Sequence, residues 1–340
     1  MTGHTGFKGG WLCLWLTQLG AEVTGCSLVA PTRPSLYELA GVGEAVAGEA
    51  PVDIRDGAAL EEAVGLIAPE VVFHLAAQPL VRRSYTDPAE TFQVNALGTA
   101  NVLEAIRAAG SVRAVVVVTT DKVYAERGDG EAHREGDRLG GADPYSASKA
   151  SAELIVDALR RSFFSEPGST AIATARAGNV IGGGDFGAER LVPDLVRAAN
   201  DGNAVELRNP GAIRPWQHVL NPLSGYLALA EALWKSKDAE GGWNFGPDAD
   251  DERPVSWMAE RFAELWDGAP GWKGAAGEHP HEAPVLRLDS AKARSGLGWT
   301  PRWDLARGLA ETVAWHRRVA AGEDARAVTL DQIGRFETGS

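Results

Sequence analysis

Tyr145 and Lys149, in the segment YSASK, are the residues most suited to chemistry. Residues at positions i and i+4 share one face of a helix, so the lysine ammonium lies beside the phenol. Lowering the tyrosine pKa from about 10 to neutrality requires about 4 kcal/mol, at about 1.36 kcal/mol per unit. A nearby ammonium and a cationic nicotinamide both stabilise the phenolate. The pair therefore predicts a tyrosine base that takes a proton from a hydroxyl group.

A second group of polar residues, Thr119 to Lys122, follows the apolar run RAVVVV. The run is typical of a buried strand, and parallel sheets bind ligands at the carboxyl ends of their strands. We therefore predict that Thr120 hydrogen-bonds a substrate hydroxyl. Asp121 and Lys122 carry charge into the same site; a solvated turn is the competing interpretation for either residue alone.

A glycine motif opens the chain, MTGHTGFKGG, with Gly3, Gly6 and Gly9 at the spacing of a phosphate-binding loop. Glycines let the backbone approach a pyrophosphate, and the following helix N-terminus supplies N–H donors and a positive dipole end. Thr5 and Phe7 belong to the same loop. The motif predicts a dinucleotide cofactor.

Two further segments extend this cofactor site. Leu75, Ala76 and Ala77 end the buried run VVFHLAA, where small residues allow a dinucleotide to lie close. Asp53 and Ile54 follow a short strand pattern, and the Asp53 carboxylate is a candidate cap for the adenine, with a surface loop acid as the alternative. The acid expected about 20 residues after the glycines, on the ribose, is missing from CSLVAPTR, which leaves NAD and NADP both open.

The position of the glycine motif raises a question, because only Met1 and Thr2 precede it. Such a loop follows a central strand, whose loss removes about five core side chains at roughly 1.5–3 kcal/mol each. We therefore expect the first strand to be missing from this sequence and the coding region to extend upstream by roughly 6 to 15 codons. We also expect a slot one strand wide between the strands near 22–28 and 71–75.

Alternating strand and helix patterns position these motifs and predict an α/β fold with a doubly wound parallel (Rossmann-type) sheet. Polar loops and Gly-Pro pairs dominate after about residue 176, and a last helical pattern covers 305–320. We predict a dinucleotide-binding domain over residues 1–175 and a smaller substrate domain over residues 176–340. The patterns before residue 176 are helices at 11–19, 56–68, 90–109 and 143–163, and strands at 21–29, 71–77, 113–120 and 170–182.

Composition excludes several classes of protein. The 340 residues are 44% hydrophobic and 23% charged, with no apolar run long enough to span a membrane and no secretory signal pattern. A net charge of −13 disfavours nucleic acid and anionic membranes as partners. Cys13 and Cys26 are expected to pack as small apolar groups. His279 and His281 lack further ligands, so no metal is predicted, and a cytoplasmic location is expected.

Four motifs and their order along the chain resemble the extended short-chain dehydrogenase/reductase family. They are T-G-x-x-G-x-x-G, H-L-A-A, T-T-D-K and Y-x-x-x-K. Longer stretches, among them PTRPSLYELAG, HLAAQPLVRRSY, RAGNVIGGGD and LRNPGAIRPWQHVLNPLSGYL, are similar to its branch of CDP-glucose 4,6-dehydratases. The similarity extends over nearly the whole chain. The related dTDP-glucose dehydratases have Asp-Glu where this chain has Asp121-Lys122, and the 4-epimerases lack the acid–base pair.

The resemblance implies a lyase of deoxysugar biosynthesis that uses NAD to convert CDP-D-glucose to CDP-4-dehydro-6-deoxy-D-glucose. Tyr145, aided by Thr120 and Lys149, would take the 4-hydroxyl proton, while Asp121 serves as acid and Lys122 as base in the elimination. It also implies a homodimer at least, built on the helices containing 91–109 and 145–163.

Binding residues follow from the same resemblance. The implied contacts with NAD are Gly3, Thr5, Gly6, Phe7, Gly9, Asp53, Ile54, Leu75, Ala76, Ala77, Asn95, Thr119, Tyr145 and Lys149. The second region becomes a nucleotide-sugar-binding domain, for which the matching positions are Asn179, Arg190, Arg208 and Arg214. Arg214 is the best candidate for the diphosphate, because a guanidinium pairs bidentately with phosphate oxygens.

Two alternatives stay open. One is another nucleotide-sugar dehydratase or a 4-epimerase of the same family, which a panel of nucleotide sugars distinguishes. The other is a truncated, inactive NAD-binding protein, which the incomplete first strand favours and the intact Thr-Asp-Lys, Tyr and Lys set opposes.

Overall fold

A parallel β-sheet runs through the centre of the protein in a computed structural model, which describes residues 1–276 and 283–339. The strands are β1 (Thr24–Cys26), β2 (Gly48–Ala50), β3 (Val71–His74), β4 (Ala114–Val118), β5 (Ala171–Arg176), β6 (Val180–Ile181), β7 (Val205–Leu207), β8 (Ile213–Pro215), β9 (Gln217–His218), β10 (Gly241–Asn244), β11 (Glu252–Pro254) and β12 (Trp272–Gly274). The helices are α1 (Phe7–Gln18), α2 (Leu36–Leu39), α3 (Val42–Ala45), α4 (Gly57–Ile67), α5 (Val81–Thr86), α6 (Pro88–Phe92), α7 (Gly98–Ala109), α8 (Pro144–Phe163), α9 (Leu191–Asn200), α10 (Leu220–Lys235), α11 (Val255–Trp266), α12 (Ala291–Leu297), α13 (Leu305–Ala320) and α14 (Ala325–Thr338).

The central sheet consists of two parallel ladders. One has the order β10-β5-β4-β3, and the other pairs β1 with β2. The segment Met1–Gly3 lies between them: the Thr2 amide donates to the Phe73 carbonyl at 3.0 Å, and the Gly3 amide donates to the Cys26 carbonyl at 2.9 Å. This arrangement confirms the doubly wound parallel sheet.

No strand precedes α1 among the residues described, as expected. Only the end of its position is filled: Thr2 forms isolated parallel bridges to both Cys26 and His74 and lies between β1 and β3. No ladder joins β1 directly to β3 among the residues described, which agrees with the predicted slot of one strand's width.

Strand β4 shows why the sheet is covered on both faces. Val115 and Val117 pack with α4, α7 and α8, whereas Val116 and Val118 pack with α1 and α10 on the opposite face. Successive side chains of a strand point to opposite faces, so an unbroken run of valines is what a doubly covered strand requires. The predicted buried strand is confirmed.

Helix boundaries follow local signals, with one exception. Asp56 caps α4 through the Ala59 amide, and Gly110 ends α7 in a left-handed conformation, both common local signals for helix ends. The helix predicted over 90–109 is helical throughout, but it begins at Pro88 and contains a π-helical segment, Gln93–Leu97, between α6 and α7. Such π-helical segments are often found at functional sites.

The second region consists of short paired strands, β6 with β9, β7 with β12 and β8 with β11, packed with α9, α11 and α13. The predicted division at residue 175 requires a correction. Strand β10 lies beyond it but pairs with β5, and α10 packs against β4 and β5, so residues 220–244 complete the first domain. The chain crosses between the two regions more than once, a path that linear patterning does not reveal.

Among the residues described, no helix combines the length and the apolar character needed to cross a membrane. Cys13 and Cys26 are both buried and unpaired, as expected.

Candidate active site

The glycine loop packs against the end of β3. Gly3 has φ +76°, and a Cβ atom there would lie 2.6 Å from the Ala76 nitrogen. A Cβ on Gly9 would lie 2.1 Å from the Gly3 carbonyl oxygen, so α1 approaches the loop only because this residue is glycine. The loop, the N-terminus of α1 and the segment at Leu75–Ala77 therefore form one cradle, as predicted.

Hydroxyl groups fix this cradle to its neighbours. Thr5 Oγ1 lies 2.9 Å from Ser27 Oγ and donates to the Leu28 carbonyl at 3.0 Å, which ties the loop to the segment after β1. Thr2 Oγ1 lies 2.7 Å from His74 Nδ1. Burial lowers the pKa of His74 to about 3, so its imidazole is neutral and acts in hydrogen bonding alone. Phe7 packs its ring against Gly182, where the second region begins.

The side chains of two predicted cofactor residues, Asp53 and Ile54, already contact other parts of the protein. Asp53 accepts from Arg55 Nε at 2.9 Å and from Nη2 at 2.5 Å, and this pairing holds the Asp53 pKa below its ordinary value despite partial burial. Ile54 packs against Gly98 in the core between the sheet and α7. Their roles at the adenine stay predictions.

Asn95 and Thr119 are similarly engaged. Asn95 Oδ1 accepts from the Gln78 amide at 2.9 Å, and its Nδ2 donates to the Gln78 carbonyl and to Ser148 Oγ. This uses both amide hydrogens to join the segment after β3 to α8. Thr119 Oγ1 donates to Glu153 Oε1 at 2.5 Å, on the far side of β4 from the glycine loop. Both side chains position the site, and direct cofactor contacts by them stay predictions.

The predicted base, Tyr145, stands at the second position of α8, next to Thr120. Pro144 and the Asp143 cap, which accepts from the Ser146 amide at 3.0 Å, fix where this helix begins. Burial raises the Tyr145 pKa to about 12, opposed by the Thr120 hydrogen bond and the Arg190 charge. The protein's own charges therefore leave the phenol protonated at neutral pH. Its predicted ionisation depends on the cationic nicotinamide as well as on the lysine and stays a prediction.

Lys149 lies one turn further along α8, on the same face. Its Nζ donates to the Val118 carbonyl at 3.2 Å, which holds the ammonium at the end of β4. Burial lowers the Lys149 pKa to about 8, opposed by Glu153. The helix and strand thus bring together the predicted tyrosine and lysine.

Asp121 and Lys122 form a contact pair just beyond β4. Asp121 Oδ1 accepts from Thr120 Oγ1 at 2.9 Å and from Lys122 Nζ at 3.2 Å, whereas Oδ2 is buried with no hydrogen-bond partner among the residues described. Burial raises the Asp121 pKa, but Lys122, Thr120 and Arg214 outweigh it and hold the pKa below its ordinary value. The carboxylate is therefore ionised, although the predicted acid role requires a proton.

Three of the four predicted substrate residues lie at this centre. Asn179 follows β5 with φ +48°, and its buried Oδ1 has no hydrogen-bond partner in the described part of the chain. Arg214 is buried on β8 and acts on the charge of Asp121. Arg190 pairs with Asp185 at 3.1 Å and acts on Tyr145.

The fourth, Arg208, follows β7, and its charge acts on Asp194 of α9. Its contact with a substrate stays a prediction. Arg176, at the end of β5, is buried in an ion pair with Glu153 at 2.7 Å. His279 and His281 lie outside the described residues.

Sequence reasoning missed two residues of the centre. Lys8, in the first turn of α1, lies with its Nζ 6.0 Å from the centre of the Tyr226 ring. Tyr226 is fully buried on α10, and its hydroxyl has no hydrogen-bond partner among the residues described. A signal for Lys8 was present, because a cation is unfavourable at the positive end of a helix. No sequence signal marked Tyr226, which reads as an ordinary core residue.

Together, the glycine cradle and the Tyr145–Lys149 helix define a dinucleotide-dependent enzyme site of the short-chain dehydrogenase/reductase class. The family model "NAD dependent epimerase/dehydratase family" matches residues 1–243. The chain belongs to this family.

Individual relatives narrow the comparison. The chain is 46% identical to a CDP-glucose 4,6-dehydratase from Salmonella typhimurium, over 99% of this chain and 95% of the relative. It is 32% identical to a dTDP-glucose 4,6-dehydratase from Streptomyces griseus, over 73% of this chain and 71% of the relative.

Solved structures agree on the fold. A double mutant of the dTDP-glucose 4,6-dehydratase DesIV from Streptomyces venezuelae, with NAD bound, superposes with a TM-score of 0.81 at 26% identity, covering 94% of this chain and 97% of that one. A UDP-glucose 4-epimerase from Thermus thermophilus, in complex with NAD, gives a TM-score of 0.78 at 27% identity, covering 93% and 97%.

Proposed function

We propose that this protein is an NAD-dependent CDP-glucose 4,6-dehydratase that forms CDP-4-dehydro-6-deoxy-D-glucose. The observation that carries the proposal is the Asp121–Lys122 contact beside Tyr145, because elimination of water needs an acid and a base in addition to the tyrosine of the oxidation step. The 46% identity to the Salmonella enzyme supports the choice of CDP-glucose.

Oxidation at C4 uses the residues of α8 and Thr120. NAD, when bound, supplies the hydride acceptor at C4 and the hydride donor at C6. Tyr145 takes the proton of the 4-hydroxyl through its contact with Thr120. Because the Tyr145 pKa is about 12 in the protein alone, positive charge close to the phenol is required, and Lys149, Arg190 and Lys8 are the cations at hand.

Elimination across C5 and C6 uses Asp121 and Lys122, which are charged as they stand. Moving one proton along the 3.2 Å contact from Lys122 Nζ to Asp121 Oδ1 gives a neutral amine and a carboxylic acid. The amine is then the base for the C5 proton, and the acid protonates the leaving hydroxyl at C6. Burial under a bound sugar favours this neutral pair, since desolvation penalises two charges more than two neutral groups.

The site also suits a substrate with two phosphate charges. Lys8, Lys122 and Arg214 act on the charge of the ionised Asp121, and Arg190 acts on that of Lys8, although the whole chain has a net charge of −13. A local concentration of cations attracts an anionic substrate independently of the net charge. Asn179, with its free Oδ1, offers an acceptor for a sugar hydroxyl or a base amino group.

The substrate assignment is tested with CDP-, dTDP-, UDP- and GDP-glucose, each supplied with NAD. Mass spectrometry of the nucleotide product detects the loss of one water. We expect the product from CDP-glucose at a rate well above the other three. Conversion of UDP-glucose to UDP-galactose without loss of water contradicts the proposal and favours a 4-epimerase, and NAD binding without any conversion favours an inactive protein.

Because Tyr145 and Lys122 are assigned to different steps, their variants should stop the reaction at different points. Tyr145→Phe is expected to lower C4 oxidation by about 10²–10⁴-fold, the usual contribution of a general base. Lys122→Ala is expected to oxidise C4 but to stall before elimination, so bound NADH accumulates and is seen by its absorbance.

Lys235→Ala, which changes an exposed lysine paired with Glu231 at 2.5 Å, is the control and should behave as the parent. Normal dehydration by Lys122→Ala removes Lys122 from the mechanism.

We further propose a homodimer formed through α6 to α8 and located in the cytoplasm. Leu97, in the π-helical segment, is 51% exposed, and Leu154 on α8, which packs against that segment, is 60% exposed. A dimer formed through these helices would cover both side chains. The buried, unpaired Cys13 and Cys26 support a reducing compartment.

The dimer is tested by sedimentation of Leu154→Glu, which is expected to be monomeric. Leu66→Glu is the matched control, because Leu66 is 81% exposed on α4, which is not one of the proposed interface helices. A parent protein that sediments as a monomer contradicts the proposal.

A further inference from the structure

Lys8 is an unexpected residue in a dinucleotide-binding loop. It is the second residue of α1, two residues after the Gly6 cap, where the helix dipole is positive and where a lysine is electrostatically unfavourable. No hydrogen bond or ion pair holds its ammonium among the residues described, and the ammonium lies over the Tyr226 ring, 6.0 Å from its centre. A cation placed at a cost, with no hydrogen bond or ion pair of its own among the residues described, points to a ligand.

The surroundings of Lys8 identify which part of a ligand it faces. Its ammonium interacts with the charges of Arg190 before α9, Asp121 and Lys122 after β4, and Lys149 on α8. The Tyr226 ring on α10 lies beneath it, and Tyr226 in turn interacts with Tyr145. Lys8 therefore extends from the pyrophosphate loop to the residues that perform the oxidation, which is the end of the site where the nicotinamide must lie.

We propose that Lys8 faces the nicotinamide ring of bound NAD and shifts its redox balance toward the reduced form. The proposal rests on the proposed use of NAD. The ring carries a positive charge when oxidised and none when reduced, so a neighbouring ammonium repels the oxidised ring only. Transfer of hydride from C4 of the sugar neutralises the ring and removes that repulsion, while the hydroxyl proton passes to Tyr145. The loss of repulsion favours the oxidation that begins the cycle.

Protonation of Lys8 makes this effect dependent on pH. The Lys8 pKa is lowered to about 7, mainly by burial. The positive charges of Arg190, Lys149 and Lys122 also lower it, and the negative charge of Asp121 opposes the change. The ammonium is therefore present below pH 7 and lost above it. Repulsion of the oxidised ring is expected at pH 6 and is expected to vanish by pH 8.5.

The test measures the dissociation constants of NAD⁺ and NADH separately, on protein freed of nucleotide and without any sugar. For Lys8→Met at pH 6, we expect the ratio of the NAD⁺ constant to the NADH constant to fall about 10-fold relative to the parent, an order of magnitude set by about 1.4 kcal/mol of lost repulsion. The parent ratio should approach that of Lys8→Met at pH 8.5. Lys8→Arg, which keeps its charge, should retain the high ratio at both pH values.

Lys235→Met is the control for removal of a lysine remote from the site and should leave the ratio unchanged. Equal weakening of both nucleotides by Lys8→Met overturns the proposal and assigns Lys8 to the pyrophosphate. An unchanged ratio also overturns it. Failure of the parent to bind either nucleotide refutes the NAD assignment itself, an outcome distinct from a change in the ratio. Thermal melting of each variant confirms that a change in ratio arises in folded protein.

Discussion

Glu153 and Asp121 are both buried carboxylates beside β4, but they differ in how their oxygens are satisfied. Glu153, behind the sheet, accepts from Thr119 at 2.5 Å, Thr174 at 2.7 Å, and Arg176 at 2.9 and 2.7 Å. Asp121, at the front, has one oxygen bonded and the other without a partner among the residues described. A complete set of partners indicates a structural role, and an incomplete one indicates a place for substrate.

The two regions differ in the same way beyond these carboxylates. Arg176 also donates to Tyr124, whose hydroxyl donates to Asn244 at 2.6 Å, so the rear network joins β5, β10 and α8. At the front, Asn179, Tyr226 and Lys8 lack such partners in the described chain. The Glu153 network is therefore saturated with partners, whereas Asp121, Asn179 and Tyr226 each keep a buried polar atom without a partner among the residues described.

Removing a charge from the rear network gives the largest expected effect. Glu153→Gln leaves Arg176 buried without its carboxylate and is expected to lower the free energy of unfolding by about 3–5 kcal/mol. Urea unfolding measures the change. Glu104→Gln, which breaks the exposed pair with Arg107 at 2.5 Å, should cost less than about 1 kcal/mol. Equal losses in the two variants contradict a special role for the rear network.

The corresponding change at the front should spare stability but not activity. Asp121→Asn is expected to lower dehydration of CDP-glucose by about 100-fold or more, since it removes the acid. The free energy of unfolding should change by less than about 1 kcal/mol, because one carboxylate oxygen has no bond to lose. A stability loss as large as that of Glu153→Gln shows that both carboxylates are structural.

Arg214 should affect ligand binding more than stability. Arg214→Ala is expected to weaken CDP binding by about 30-fold, or about 2 kcal/mol, through loss of charge-assisted hydrogen bonds, and to leave NAD binding unchanged. Calorimetric titration with each ligand measures this. Arg253→Ala changes the exposed arginine paired with Arg214 in register on β11 and is the matched control. Equal losses for CDP and NAD refute the assignment.

The smallest effect is expected from removing a tyrosine hydroxyl. This test compares the two regions most directly, because the same Tyr→Phe substitution is made in each. Tyr226→Phe removes a buried hydroxyl without a partner and is expected to raise the free energy of unfolding by about 1 kcal/mol. Tyr124→Phe removes a hydroxyl bonded to Asn244 and Arg176 and is expected to lower it by about 1–2 kcal/mol. If both substitutions change the free energy of unfolding in the same direction, the proposed difference between the two regions is contradicted.

Apolar patterning determined most of the sheet domain in advance. The valine run of β4, the cap at Asp56 and the terminator Gly110 act within a few residues, so they can be read from the chain. The pairing of Tyr145 with Lys149 is equally local, because helix geometry alone places them on one face. The similarity of the motifs to known dehydratases supplied the reaction, which periodicity cannot specify.

Tertiary structure alone decided the contacts between distant segments. Three such contacts join positions that are far apart in sequence. Strand β10 pairs with β5, Met1–Gly3 lies between β1 and β3, and the Lys8 ammonium lies over the Tyr226 ring. Whether a buried polar group is satisfied depends on the same long-range contacts. Glu153 and Asp121 are both acids in the sequence, and only the packing of α8, β4 and β5 gives one carboxylate a full set of donors and leaves an oxygen of the other without one.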